Sequence, residues 1–595
     1  MTITTKNALR PAFRPALQST LRGALLAAAL AAAIGAAAVP AEAAEPLKPR
    51  GEHPSPGFNR LHDYREMTET LRAYARAYPE WVKLESIGKS IEGRDIWLLT
   101  VNNPATGPDR SKPAMYIDGN IHANEVQGAE TALYTVDYVL ANYGRLDRIT
   151  ELADRIAFYV IPMVNPDGRA RWFAGPSTPH FPRTVMVPVD DDRDGVADED
   201  GFDDLDGDGV ITQMRKRVAP GVGTHRLHPK DPRILVEPEE GELADYRLLG
   251  GEGFDNDGDG LVNEDLVGYV DPNRTWGYFW MPRYVQAGAG DYPLQIPETR
   301  AIATWALDHP NLGAVQSYHN SGQMILRGPG AKLQPPYPGP DVAVYDLIGE
   351  EGERLLPGYD YMITWKDLYT VFGDTTDHFY NVHGAIALTN ELYEPPADLD
   401  GDGEVTPEEE MKFNDLLTLG RQQVAWHEID HPQYGKVEIG GERQDVGRVP
   451  EGWMLEQEVH RNNAFVLFHA RQLPKLSFGE PEVTRLDRGL WRVEVPVLND
   501  AGIPTVTAMA RQNKLHRQDL ATVEGARVVA SGVVDDPWLD KVRLQEHRPE
   551  RLMVEGVDGY STRRLFFLLE GSGEVTVTYD SLKGGKLQRT VHLRE

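Results

Sequence analysis

His122 and Glu125, in the run His122-Ala123-Asn124-Glu125, set an imidazole and a carboxylate three residues apart, a mixture that suits a zinc ion. The chain has no cysteine, so any metal must be held by His, Asp, Glu or backbone oxygen. The spacing is unspecific by itself, because His547 and Glu550 repeat it where nothing supports a site. A third ligand has to come from elsewhere, and His319, which closes the apolar run AVQSYH, is the natural candidate. A rival zinc pattern lies further on: His427-Glu428-Ile429-Asp430-His431 spells HExxH, which needs both histidines on one helix face. Pro432 follows at once and biases His431 away from helical dihedrals, which argues against a zinc endopeptidase of that type.

Four acidic segments invite a harder cation. Asp190, Asp192 and Asp194, then Asp204, Asp206 and Asp208, then Asp255, Asp257 and Asp259, and last Asp398, Asp400 and Asp402 share an Asp-x-Asp-x-Asp-Gly core. Oxygens at positions one, three and five with a turn-forming Gly at six suit Ca²⁺, and in the last copy Glu409 falls at position twelve, where a bidentate carboxylate closes such a loop.

Other elements must position these groups. Apolar residues at helical spacing predict helices over 59–78 and 126–140, and apolar runs predict strands at 96–101, 114–119 and 158–164. The runs at 314–319 and 385–392 read as further buried strands with polar residues at their C-terminal ends, where open α/β sheets place ligands. The expectation is an α/β fold with a mixed, mostly parallel sheet covered by helices. Beyond residue 440 strict alternation, as in WRVEVPVL and EVTVTYD, predicts an all-β, sandwich-like domain.

In this order the residues resemble the zinc carboxypeptidases of the carboxypeptidase A type, over most of 58–395. The resemblance is carried by IGKSIEGRDIWLLTV, YIDGNIHANE, VNPDG, MRKR, DPNR, SYHNSG and LYTVFGDTTDHFY before LTNEL. It implies a carboxypeptidase-like fold and one catalytic zinc on His122, Glu125 and His319, with Asp271 accepting the second ring N–H of His122. It implies Glu391 as general base and Arg215 as the cation facing the developing oxyanion. Asn273 and Arg274 would grip the substrate's terminal carboxylate, Tyr369 would close over it, and Thr376 would fall at the floor of the specificity pocket. A neutral residue there argues against a preference for Lys or Arg. The family's arginine between the metal ligands is Asn124 here.

Composition narrows the alternatives. Lys and Arg total 61 against 91 Asp and Glu, a net charge of −30 with no compensating basic tract, which excludes a phosphate-tracking nucleic-acid binder. Gly 57 and Pro 43 in 595 residues favour a loop-rich fold over a long helical bundle. A basic start, the apolar stretch GALLAAALAAAIGAAA and Ala41-Glu42-Ala43 predict a signal peptide over 1–43, hence a secreted or periplasmic protein with no membrane anchor after cleavage. The remainder divides into a catalytic domain over 44–435 with an Asp-rich insertion at about 176–268, a connecting segment over 436–480 and a β domain over 481–595. The function expected is removal of C-terminal residues from peptides. The alternatives are a zinc amidase or deacylase acting on cell-wall peptides, and a catalytically silent, calcium-stabilised peptide-binding protein.

Overall fold

The computed structural model describes residues 44–175, 183–190, 193–265, 268–443 and 447–594. The signal-peptide expectation over 1–43, and Asp192, lie outside the described residues.

The chain begins with α1 (Tyr64–Ala77), β1 (Val82–Lys89), β2 (Asp95–Val101), β3 (Ala114–Gly119), α2 (Gln127–Asn142), α3 (Asp147–Arg155), β4 (Ala157–Ile161) and α4 (Pro166–Ala174). The insertion then supplies β5 (Gln213–Arg217), the short pair β6 (Arg226–Leu227) and β7 (Leu235–Val236), and β8 (Tyr246–Gly251). The chain returns through α5 (Pro297–Leu307), β9 (Leu312–Asn320), β10 (Met324–Arg327), α6 (Gly339–Leu355), β11 (Asp360–Ile363), α7 (Thr375–His383) and β12 (Ile386–Leu392). It continues into α8 (Pro407–Leu417), the hairpin β13 (Gln423–His431) and β14 (Gly435–Glu442), and α9 (Gly452–Arg471).

Eight strands form one sheet in the order β1-β2-β4-β3-β9-β12-β10-β11. The pairs β3–β4, β3–β9, β9–β12 and β10–β11 are parallel, and the remaining three are antiparallel. The central strands are apolar on both faces because both are covered. Tyr116, Ala157, Tyr159 and Ile161 face α5 and α7, where Phe379 stacks on Tyr116, while Phe158 and Val160 meet Val136 and Val139 of α2. The segment expected to be a connector instead holds α9, which completes the second layer. Its Asn462 accepts from Asn390 of β12, and its His469 is hydrogen-bonded to Gln316 of β9.

The insertion is more than a run of acidic loops. β5 pairs antiparallel with β8 on one side and with β14, from after the catalytic sheet, on the other, giving the four-stranded sheet β13-β14-β5-β8. Met214, Val437 and Ile439 form its small core.

From residue 476 the chain makes two antiparallel sheets of six and four strands. Alternate residues Trp491, Val493, Val495 and Val497 of one sheet and Val575, Val577 and Tyr579 of the other share one buried cluster. This unit is tied to the catalytic sheet by buried polar contacts. Asp341 at the start of α6 accepts from the N–H groups of Ala508 and Met509, capping the helix α10 (Ala508–Asn513), and Lys583 donates to the carbonyl of His383 at 2.5 Å.

Candidate active site

β3 ends at Gly119, and the chain turns through residues 120–126 before α2 begins. A Cβ on Gly119 would sit 2.5 Å from the backbone of Gly128, so the turn can lie this close to the helix start only with glycine there. Asn120 adopts φ +55° and its Nδ2 donates to the carbonyls of His122 and Ala123. Arg169, fully buried, braces the turn from α4 by donating to Asn120 Oδ1 at 3.0 Å and to the Val126 carbonyl at 2.9 Å, with Glu130 neutralising its charge. His122 and Glu125 therefore project from a fixed turn rather than from the helix itself.

His319 arrives from the C-terminal end of β9. Its Nδ1 lies 3.2 Å from His122 Nδ1 and 3.0 Å from Glu125 Oε2, and one ligand atom from each of the three residues falls within 4.8 Å of the others. All three side chains are buried. His122 Nε2 lies 3.0 Å from Asp271 Oδ1, so the ring proton sits on Nε2 and Nδ1 presents a lone pair to the cluster. Glu125 Oε2 is buried and has no hydrogen-bond partner among the described residues. Two imidazole nitrogens and a carboxylate oxygen brought this close are donors of the kind that suit a zinc ion. Burial pushes the Glu125 carboxyl up, but the imidazoles of His122 and His319 overcome it and hold the group well below the usual carboxylate range. Burial is likewise outweighed at Asp271 by His122, Arg274 and Arg183.

Glu391 stands next to this cluster, since β12 runs parallel to β9 with Glu391 in register with His319. Burial and then the negative charge of Glu125 raise its pKa to about 7, against the pull of His319, Arg183 and Arg448.

The arginine at the cluster is Arg183, not Arg215. Arg183 donates from Nε to Asp271 Oδ2 at 3.3 Å and from Nη1 to Glu125 Oε1 at 3.4 Å. Burial works against its charge, and Asp271, Glu125, Tyr369 and Glu391 together more than restore it. Arg215 is built into the second sheet. Its Nε donates to Glu438 at 2.6 Å and its guanidinium lies over the rings of Trp426 and Tyr246, at 3.9 and 5.0 Å from their centroids. The basic run at 215–217 is thus a strand whose arginine is held by Glu438 and two rings, with its Nη1 buried and without an acceptor among the described residues. Arg183 belongs to an irregular stretch with no motif around it, and only its nearness to the NPDG turn could have drawn attention to it.

Asn273 and Arg274 form a single 3₁₀ turn, Pro272–Arg274, capped by Asp271. Asn273 Oδ1 accepts from the N–H and hydroxyl of Thr375 at the start of α7, while Arg274, buried, donates to the carbonyl of Asn273. Tyr369 follows one π-helical turn, Thr364–Leu368, and is 45% exposed. The hydroxyl of Thr376 lies 2.7 Å from that of Thr389, two residues before Glu391. A carboxyl pair that the sequence reading passed over, Asp374 and Asp377, flanks Thr376. Burial and the Asp377 charge hold Asp374 well above the usual range, with Arg274 opposing.

The HExxH pattern lies on strand β13, so its two histidines are not on a helix face. His431 is buried against the Gly253 carbonyl, and His427 pairs with Asp206.

Residues 67–179 and 261–412 match the family model described as zinc carboxypeptidase, and residues 475–592 match one described as a domain of unknown function. Carboxypeptidase D of Mus musculus is 34% identical over 112 residues, 19% of this chain and 8% of that protein. A zinc carboxypeptidase of Saccharothrix mutabilis subsp. capreolus is 34% identical over 113 residues, 19% of this chain and 26% of the relative. Carboxypeptidase B of Astacus astacus is 38% identical over 112 residues, 19% of this chain and 35% of the relative. The chain thus spans between 8% and 35% of the length of these relatives. Among solved structures, carboxypeptidase A from Helicoverpa armigera superposes with a TM-score of 0.41 at 17% identity, over 71% of this chain and 76% of that one.

Proposed function

We propose, on the premise that residues 67–179 and 261–412 belong to the zinc carboxypeptidase family, that this protein is a metallocarboxypeptidase that removes residues from the C-termini of peptides. The observation that carries the reading is the convergence of His122 Nδ1, His319 Nδ1 and an undonated Glu125 oxygen, with Asp271 behind His122 and Glu391 in register beside His319.

A zinc ion on His122, Glu125 and His319 supplies Lewis acidity for amide hydrolysis. Glu391 takes the proton of the attacking water and hands it to the leaving amine, a role served by a carboxyl whose pKa lies near 7. Arg183 takes the part the sequence reading gave to Arg215 and faces the carbonyl oxygen as charge develops on it. Arg274 and Asn273 hold the terminal carboxylate, and Tyr369 closes over it. Thr376 lines the specificity pocket.

Mass spectrometry of peptides incubated with the zinc-loaded protein tests the reading. Stepwise loss of single C-terminal residues is expected, and amidated peptides should be poor substrates because Arg274 loses its anionic partner. Internal cleavage, or equal rates for free-acid and amidated peptides, overturns it.

Calcium is the second element of the proposal. It is supported by the grouping of Asp255 with Asp257 and Asp259, and of Asp398 with Asp400 and Glu409. Two further groups combine segments: Asp204 and Asp206 with Glu252, and Asp257 and Glu264 with Asp200 from the first loop. Oxygen-only donors of this kind suit Ca²⁺. Asp190, Asp194, Asp208 and Asp402 complete the same loops. Export through the segment 1–43 belongs to the same reading and rests on its sequence pattern.

A further inference from the structure

A second arginine reaches the cleft from outside the family segments. Arg448 lies between β14 and α9, beyond residue 412, where the carboxypeptidase match ends. It is fastened to the residue that follows His319. Arg448 Nη2 donates to the Asn320 carbonyl at 3.2 Å, and Asn320 Nδ2 donates back to the Arg448 carbonyl at 3.3 Å. Asn320 is buried and also donates to Gln127 Oε1 at 2.8 Å, so one network joins the starts of α2 and α9 to the end of β9. Asn320 is in register with Leu392 of β12, as His319 is with Glu391, which sets Arg448 at the strand ends that carry both groups.

The anchoring uses one side of the guanidinium. Arg448 Nε is buried and has no acceptor among the described residues. A buried N–H without an acceptor costs about 1–3 kcal/mol and calls for a partner. The Arg448 charge is also felt by the Glu391 carboxyl. Among the described residues that acceptor is missing, and the guanidinium stands near Glu391, where the peptide has to lie.

We propose that Arg448 is a substrate-binding residue, whose guanidinium donates to an oxygen of the bound peptide beside Glu391. The oxygen is a backbone carbonyl or an acidic side chain upstream of the cleaved bond. The assignment rests on the carboxypeptidase reading and makes specificity depend on a segment beyond the matched residues.

The experiment is steady-state kinetics of the full-length zinc-loaded protein and its Arg448→Gln and Arg448→Lys variants. Substrates are an N-acyl amino acid and longer peptides with Ala or Glu next to the C-terminal residue, with zinc content and melting temperature measured alongside. Arg448→Gln should raise KM for the longer peptides about tenfold, equivalent to about 1.4 kcal/mol. Its kcat should hold within about twofold and its zinc content and melting temperature should not move. Arg448→Lys should recover much of the loss. A larger effect on the Glu peptide identifies an acidic side chain as the acceptor, and equal effects identify the carbonyl. Unchanged KM, or a loss that tracks melting temperature or zinc, overturns the assignment. An inactive wild-type protein instead removes the carboxypeptidase reading itself.

Discussion

At the scale of single residues, the site separates groups that hold a position from groups that move a proton or charge. Glu391→Gln keeps the shape of the side chain but cannot accept a proton. Turnover should fall by at least about 10²-fold while zinc, measured by elemental analysis, stays bound. The two arginines separate the same way. Arg183→Gln should cost about 10²–10³ in kcat, as removal of an oxyanion donor does. Arg215→Ala should instead lower stability by about 1–3 kcal/mol, because Glu438, Trp426 and Tyr246 lose their partner, with activity per folded molecule retained. Comparable kcat losses in both variants would return Arg215 to the cleft. His431→Ala should leave zinc content unchanged. Part of this was legible in the sequence, because residue types at fixed spacing survive without knowledge of the fold: His122, Glu125, His319 and Asp271 lie side by side. Arg183 was not legible. A cation's role depends on what it faces, and no local pattern around residue 183 records that it faces Asp271 and Glu125.

At the scale of elements, the strands and helices around the site followed from apolar periodicity, while the insertion did not. β5 and β8 are short and half-polar, and β5 finds its second partner in β14, so neither strand announces itself locally. β13 displays a helix motif and is a strand because pairing with β14 and burial of His431 override it. The helix α9 was present in the spacing of Leu455, Val459, Val466 and Ala470, and was passed over as a connector. The Asp-rich loops give the prediction that belongs here. In each the first Asp already accepts backbone N–H groups, as Asp398 does from Gly401 and Gly403, and Glu409 caps α8 through Thr406. These backbone hydrogen bonds shape the loops, while their close carboxylates repel one another. A calcium-selective chelator should lower the melting temperature and open the insertion to proteases, and added Ca²⁺ should reverse both without altering bound zinc. If melting and protease sensitivity stay put, the loops are solvated acid and bind nothing of consequence.

At the scale of the molecule, the catalytic sheet and the β domain meet through buried polar groups, and these set a pH dependence. Burial lowers the Lys583 pKa from 10.5 to about 7, with Asp341 opposing. Between these values the unfolded chain binds the proton and the folded one does not, so stability rises with pH across that window and the deficit is complete below about pH 7. Lys583→Met removes the titration. The melting temperature of wild type relative to this variant should climb from pH 7 to pH 9, and a flat difference would show that Lys583 is solvated. His469 and His383, lowered by burial to about 3 and 4, act in the acid range, where stability should fall as pH drops below 6.5. The pairing of β5 with β14 adds a timetable. Arg215 precedes Glu438 by 223 residues, and at about 5–20 residues per second of synthesis that interval is roughly 10–45 s. Through that wait the strand has an open edge and Met214 lacks the cover of Val437 and Ile439. A nascent chain stopped at residue 412 would own His122, Glu125 and His319 and still be unable to finish the sheet that closes its insertion.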